Sequence, residues 1–468
     1  MHPTAVINLV GLSSSLLGPH APTLEAIRST GRERRLAPPL PAVTTTVQSS
    51  MLTGRSVRDH GIVANGWYDR DLAEVQFWKQ SNHLVQGEKV WDAARRRDPR
   101  FTCANMFWWY NMYSSADFSV TPRPIYCADG RKLPDCSSHP PQLRDELQSA
   151  LGTFPLFRFW GPAASIESTR WIADASMRVH REHAPSLMLI YLPHLDYPLQ
   201  KVGPDHPSIP GEVAALDAVV ADLAAYFESA GVRTIWLSEY GIEPVDRAAF
   251  PNRVLRREGL IRVREERGLE MIDPGACRAL AVADHQVAHV YVRDPDDRAR
   301  AVAALRAMPE VERVLDTPGQ RGMMIDHPRA GDLVLVAKPG AWFAYDYWLD
   351  DARAPDYART VDIHRKPGYD PRELFLDPAI RFPKAAIGWR LAKKKLGFRT
   401  LMDVIPLDAS LVAGSHGRVG GPASRQPVLL TDAALGASGR FDADTLEAAD
   451  VHDLILESLF GAGAMRTA

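Results

Sequence analysis

Residues 186–240 read SLMLIYLPHLDYPLQKVGPDHPSIPGEVAALDAVVADLAAYFESAGVRTIWLSEY. SLMLIYLP (186–193) and VRTIWLS (232–238) are short, apolar runs of the kind that form buried strands. Between them, Val213, Leu216, Val219, Val220 and Leu223 recur at helical spacing. Strand, helix, strand with a connection of that length predicts a parallel crossover unit. Asp196 and Glu239 then lie just past the two strands, at the carboxyl edge of a parallel sheet. Open α/β sheets place their ligands along that edge.

The rest of the chain extends this pattern. Ala5 to Val10, closed by Gly11, reads as a further buried strand. HVYVRD, DLVLVAKP and QPVLLT (426–431) read as strands, and 294–308 and 444–460 as helices. Residues 84–98 read as a loop entering a helix with a basic end, the polarity a helix dipole favours. Residues 342–370 are aromatic and charged without a period, which points to an ordered loop near a site, since solvated linkers are rarely so aromatic.

Composition narrows the function classes. The 468 residues are 46% hydrophobic and 24% charged, so a large core forms without disulfide or metal staples. Net charge is -2, from 55 basic and 57 acidic residues, which argues against docking on nucleic acid or an anionic membrane as the main activity. Four cysteines are too few for a disulfide framework, and Cys127 and Cys136 fit no zinc spacing. The N-terminus lacks a basic start and a long apolar run, and no stretch reaches membrane-span length. The expectation is a soluble, cytoplasmic protein.

PAVTTTVQSSMLTGRSVRDHGIVANGWY (41–68) places a Thr cluster at the start of a helix. Backbone N–H groups there bind anions, while Ser and Thr are also ordinary helix caps. A hydroxyl nucleophile needs a base or metal to react. In this segment Pro41, Thr44, Thr53-Gly54, His60-Gly61-Ile62 and Asn65 reproduce a frame of P-x-x-T, T-G, H-G-I and Asn. YLPHLDYPLQKVGP (191–204), LSEYGIEPV (237–245), GDLVLVAKPG (331–340), GSHGR (414–418) and VHDLILESLF (451–460) continue it in order. The chain thereby resembles the nucleotide pyrophosphatase/phosphodiesterase (type I phosphodiesterase) branch of the alkaline phosphatase superfamily.

That resemblance implies a three-layer α/β/α sandwich with a mainly parallel central sheet. It would be one domain over 1–468, with cap segments around 100–170 and 340–400. It implies a phosphate ester, phosphodiester or pyrophosphate hydrolase or transferase with Thr44 as nucleophile. In the family, two divalent ions, usually zinc, lower the nucleophile's pKa and neutralise phosphoryl charge. Here the ligand frame has drifted. The first Asp is Val10, with Asn8 two residues earlier on the same strand face; the His of D-x-x-x-H is Gln200; the D-H pair is Glu239-Tyr240. Val47 stands where the family has an Asn beside the oxyanion. Asp196 and His416 are kept.

One surviving metal site is therefore expected, built from Asp196, Gln200 and His416, with Glu239 and His364 as further ligands. It would take zinc, manganese or magnesium, with two ions as the upper bound. Glu239 doubles as a general-base candidate. His364 competes with His416, whose spacing to the last strand and helix fits better. In FWWYNMY (107–113), Trp108 and Tyr110 are expected to stack on a ring-bearing leaving group, and Arg365 and Lys366 to meet a phosphate. His285 and His289 have metal-capable helical spacing but sit in a strand-like run. The expected partner is a small phosphorylated molecule, with no nucleic acid and no membrane. The alternative is a catalytically degenerate relative that binds a phosphorylated or aromatic ligand without turnover.

Overall fold

In the computed structural model, which describes residues 1–433, 435 and 441–461, the crossover forms as read. Leu187–Leu192 and Arg233–Leu237 are parallel strands, joined through the helix Ile209–Ser229. They do not touch each other. The first strand, Thr4–Leu9, lies between them and pairs parallel with both. Every residue of Thr4–Leu9 and Leu187–Leu192 is buried. That is why Leu187–Leu192 is continuously apolar, and Thr4–Leu9 apolar but for Thr4 and Asn8, where one-sided strands alternate.

The central sheet has nine strands, in the order Thr445–Glu447, Arg32–Ala37, Val428–Thr431, Arg233–Leu237, Thr4–Leu9, Leu187–Leu192, Cys103–Met106, Phe118–Pro122 and Cys136–His139. Five of its eight pairings are parallel, so the sheet is mainly parallel. Helices Ile166–His183, Ile209–Ser229 and Pro22–Thr30 pack together, and Thr44–Thr53, Val90–Arg97 and Asp450–Phe460 form a second group. Part of the segment expected as a cap around 100–170 instead extends the sheet: residues 103–139 supply its last three strands. CANM (103–106) is wholly buried, but Asn105 interrupts its apolar run and hides the strand signal.

A second, antiparallel sheet is built from Ala279–Asp284, Val287–Val292, Leu333–Ala337 and Val311–Leu315, over its own core. Its first hairpin turns on residues 285–286, with His285 at a φ of 58°. The tip reaches the edge of the main sheet, where Gln286 N donates to His416 O at 2.9 Å. Among the described residues, no helix is long and apolar enough to cross a membrane.

Candidate active site

Thr44 opens the helix Thr44–Thr53, all of whose residues are buried. Asn65 fixes the entry: its Oδ1 accepts from Thr45 N at 3.1 Å. Its own N and Nδ2 donate to the two oxygens of Asp284 at 2.8 and 3.2 Å. His60 is structural. Its Nδ1 accepts from Ile62 N, so its proton lies on Nε2, which donates to Ser50 Oγ at 2.9 Å.

Two strand ends deliver the groups beside Thr44. Asp196 follows Leu187–Leu192 and begins the short helix Asp196–Val202. Gln200 lies one turn on, the spacing that lets side chains meet, and its Nε2 donates to Asp196 Oδ2 at 2.8 Å. Glu239 and Tyr240 follow Arg233–Leu237. The Tyr240 hydroxyl donates to Asp196 Oδ1 at 3.1 Å and lies 3.2 Å from Thr44 Oγ1. A phenol has one proton. With that proton directed at Asp196, Tyr240 accepts from Thr44, so a directed line runs Thr44 Oγ1–H to Tyr240 to Asp196.

Tyr240 is held by a stack of four rings. It lies flat on His416 (centroids 3.6 Å apart, 6° between planes), His416 lies on His285 at 3.7 Å, and His285 on Tyr369 at 3.7 Å. Tyr369 closes the circuit, donating to Gln200 Oε1 at 2.9 Å. His416 Nδ1 donates to Ala42 O at 2.8 Å, which leaves Nε2 without a proton, 3.9 Å from Asp196 Oδ1. His285 Nδ1 is held by Asp284 at 2.7 Å. On the far side of Thr44, Glu239 Oε2 accepts from Asn8 Nδ2 at 3.0 Å. Buried polar atoms without a protein partner gather here: Asn8 Oδ1, Glu239 Oε1, His285 Nε2 and His416 Nε2. Unmet groups at this density mark a ligand position.

Burial sets the charge states. It pushes Asp196 up to about 7, against hydrogen bonds from Tyr240 and Gln200. It pushes Glu239 up to about 8, against the hydrogen bond from Asn8. It holds His416 and His285 well below the ordinary imidazole value, so both rings are neutral at pH 7. The Tyr240 phenol is driven well above its ordinary value, first by burial and then by Asp196 and Glu239.

These donors do not fit a pair of metal ions. Zinc takes roughly three or four nitrogen, sulfur or carboxylate ligands. Among the described residues, the only such cluster of His, Cys, Asp and Glu donors is the exposed Glu146, Glu182 and His183, away from this site. Asp196 has both oxygens engaged by hydrogen-bond donors, Gln200 Oε1 is taken by Tyr369, and Glu239 Oε2 is taken by Asn8. Val10 offers nothing, and a neutral phenol is a poor ligand. Of the ligands expected from the sequence, only His416 Nε2 and Glu239 Oε1 stand open, with Asn8 Oδ1 and His285 Nε2 as the further unpartnered atoms nearby. Two donors fall short of the single site expected from the sequence.

The remaining expected residues are placed elsewhere. His364 is exposed, its Nδ1 at 3.2 Å from Phe77 O. Arg365 pairs with Asp356 at 3.4 Å. Lys366 is enclosed, with Nζ 2.8 Å from Asp370 and 2.7 Å from Glu373, in a buried network that continues through Arg372 to Asp346. It has no reach to a substrate and serves to position the loop that carries Tyr369. Trp108 and Tyr110 are buried in the cores. Phe107 and Tyr110 have φ of 71° and 54°, so strand alternation does not describe this loop.

The loop turns out Trp109 instead. Its backbone N donates at 2.8 Å to Gln48, one helical turn from Thr44. Trp109, Trp78 and Trp160 are partly exposed. Trp78 contacts Trp109 and Tyr369, and Trp160 contacts Tyr197 and Tyr369, so aromatic rings rim the site. Sequence reasoning set His285 aside as part of a strand-like run, whereas the hairpin turn delivers it to the site, and it missed Tyr369, whose signal was the aromatic run after 342.

A family model described as type I phosphodiesterase / nucleotide pyrophosphatase matches residues 4–370. No curated protein matches in sequence. Among solved structures, the phosphonoacetate hydrolase of Sinorhizobium meliloti 1021 in complex with phosphonoformate aligns at 15% identity and a TM-score of 0.59, covering 99% of this chain and 95% of that one. Murine ectonucleotide pyrophosphatase / phosphodiesterase 5 aligns at 15% identity and a TM-score of 0.60, covering 100% and 97%. An inactive form of the murine protein, with one threonine replaced by alanine and in complex with AMP, aligns at 14% identity and a TM-score of 0.60, with the same coverage. At these identities the likeness establishes the fold. The matching family typically depends on divalent metal.

Proposed function

The chain belongs to the type I phosphodiesterase / nucleotide pyrophosphatase family of phosphoester hydrolases, and from that premise we propose that Thr44 is its nucleophile and a small phosphate ester, phosphodiester or pyrophosphate its substrate. The observation that carries the reading is the hydrogen-bond line from Thr44 through Tyr240 to Asp196. It gives the hydroxyl proton a destination inside the site, the requirement for a hydroxyl to act as nucleophile.

In the first step, Thr44 Oγ1 forms a bond to phosphorus and the bond to the leaving oxygen breaks. The hydroxyl proton passes to Tyr240 as the phenol's own proton passes to Asp196. An aryl or phosphoanhydride leaving group departs without needing an acid. Water then attacks the phosphothreonine, and Thr44 Oγ1 recovers its proton along the same line as its bond to phosphorus breaks. The surplus proton of the water leaves with the product. Glu239 stands beside this line with Oε1 free, and its neutral form supplies a hydrogen-bond donor to a phosphoryl oxygen.

The Trp78, Trp109, Trp160 and Tyr369 rim favours a ring-bearing leaving group, since aromatic faces stack on rings. AMP and phosphonoformate in the related complexes are small phosphoryl or phosphonyl compounds, in keeping with this class. The test is intact-mass analysis after rapid quenching with an aryl phosphodiester. A covalent monoester adduct on Thr44 supports the reading. Turnover with an adduct elsewhere, or with none under conditions where product forms in a burst, rejects Thr44. The missing metal donors favour a second reading, a protein that holds its ligand without turnover. Ligand-induced thermal stabilisation with neither adduct nor product, across aryl and nucleotide substrates, selects it.

A further inference from the structure

Residues 378–402 contain seven Lys and Arg and no Asp or Glu. The whole chain carries -2, so this stretch holds +7 while the rest holds -9. It lies beyond the family match, which ends at residue 370. It folds as the helix Pro383–Lys395, which has no buried residue. Large apolar side chains stand in solvent on the helix and in the residues flanking it: Trp389 64% and Leu391 53% exposed on the helix, and Phe382 66%, Leu396 72%, Phe398 63% and Leu401 45% beside it. Single exposed apolar residues need no explanation, but a contiguous set of them does.

The cations interleave with these side chains: Arg381, Lys384, Arg390, the run Lys393–Lys394–Lys395, and Arg399. Arg390 bonds Asp403 at 2.7 Å and Arg399 bonds Ala128 O at 3.0 Å, which anchors the segment to the body of the protein. The second bond brings in the hairpin of residues 125–133, where Ile125, Tyr126 and Leu133 are also exposed. The charge of Lys132 acts on both Lys394 and His364, which places the three in one neighbourhood. His364 in turn meets Phe77, next to Trp78 of the aromatic rim. The patch and the mouth of the site therefore share one side of the molecule.

We propose that the helix Pro383–Lys395 and the hairpin of residues 125–133 dock this protein on an anionic lipid surface. Protruding Trp, Phe and Leu flanked by Lys and Arg is the composition that seats a helix in the headgroup region. A second copy is the weaker occupant, because two such patches face to face would oppose +7 with +7. A protein that wraps basic helices is also weaker, since Arg390 and Arg399 tie this segment to the body of the protein. Nucleic acid would answer the charge and leave the apolar side chains in water. Docking does not depend on the reading of Thr44, and it would set the site's mouth beside a membrane-borne phosphoester.

Co-sedimentation of the full chain tests this, with vesicles of phosphatidylcholine alone and with about 30% phosphatidylglycerol added. The protein should bind the anionic vesicles at least tenfold more tightly, and raising salt from about 0.1 M to about 0.5 M should weaken that binding. At about fivefold per cation, Lys393→Glu, Lys394→Glu and Lys395→Glu together should lower partitioning on the order of a hundredfold. Trp389→Ala with Phe398→Ala should lower it with all charges kept. Circular dichroism and turnover of a soluble substrate should be unchanged, because none of these residues lies in the site. Equal binding of wild type to both vesicles, or wild-type binding by the charge-reversed variant, overturns the proposal. So does loss of a dimer in the charge-reversed variant, or duplex DNA binding that Trp389→Ala and Phe398→Ala leave unchanged while vesicle binding is absent.

Discussion

Thr44 and Thr45 are neighbours in a run of three threonines, and the structure predicts opposite consequences for removing each hydroxyl. Thr44 Oγ1 bonds the Tyr240 hydroxyl at 3.2 Å and also lies near Glu239, and Tyr240 keeps its bond to Asp196 when the Thr44 contact goes. Thr44→Val therefore loses one neutral hydrogen bond, about 0.5–1.5 kcal/mol of stability. It also removes the atom that attacks phosphorus, so kcat should fall on the order of a thousandfold or more. Thr45 Oγ1 donates to Ala64 O at 3.0 Å inside the protein. Thr45→Val strands a buried carbonyl and should cost about 1–3 kcal/mol, while kcat per folded molecule stays within about threefold of wild type. The less stable variant should thus be the active one. Urea unfolding gives the first ordering, and release of an aryl alcohol from an aryl phosphodiester and a phosphomonoester gives the second. Matching activity losses in the two variants would show that the effect is on the helix and would remove Thr44 as nucleophile.

Other consequences concern metal, pH, the buried ion network and the aromatic rim. Wild-type protein should purify with far less than one divalent ion per chain and keep its thermal midpoint in chelator, whereas Val10→Asp, Gln200→His and Tyr240→His combined should gain thermal stability with zinc; one tightly held ion in wild type would restore a site at Asp196 and His416. Burial raises Asp196 from 3.8 to about 7 and Glu239 from 4.5 to about 8, so the folded state holds protons that the unfolded chain has released, and their contribution to stability is present below about pH 4 and lost as pH rises through about 7 to 8. Urea midpoints at pH 5, 7 and 9 should fall less steeply in Glu239→Gln, and an identical slope in both proteins would remove Glu239 from the account. Lys366→Met leaves Asp370 and Glu373 short of their shared cation and should destabilise by about 3–5 kcal/mol, read by urea unfolding; a loss under about 1 kcal/mol would mean that Arg372 alone balances them. Trp109→Ala should raise KM for aryl substrates several-fold with a smaller change in kcat, and an unchanged KM would place the leaving group elsewhere.

The sheet was legible where a strand is an unbroken apolar run, as in SLMLIYLP, and hidden where a polar residue interrupts a buried strand, as Asn105 does in CANM. Asp196 and Glu239 followed, since parallel strands deliver their carboxyl ends to one edge. Trp109 was not legible. The choice between it, Trp108 and Tyr110 depends on the positive φ of Phe107 and Tyr110, which no periodicity reports. Lys366 looked like a phosphate contact because its neighbours in sequence are charged, but its partners Asp370 and Glu373 enclose it only once the loop has turned. The overall charge of -2 concealed the basic patch, because +7 in one segment is offset by acids spread over the rest.

Tyr240 is the residue whose meaning changed most between sequence and structure. As a replaced metal ligand it reads as a loss. In place, its hydroxyl bridges Thr44 and Asp196, and the stack of His416, His285 and Tyr369 holds its ring. The other exchanges follow the same electrostatic logic. Two divalent cations are stable in a buried site only beside several anions, and anions left behind without them would be strongly destabilised. Val10 stands where the family resemblance leads one to expect a carboxylate. Asn8 and Gln200 supply neutral amides to Glu239 and Asp196, and burial moves both of those carboxyls toward their neutral forms. Neutral hydrogen-bond donors thus surround both carboxyls, and Thr44 is joined to Asp196 through Tyr240.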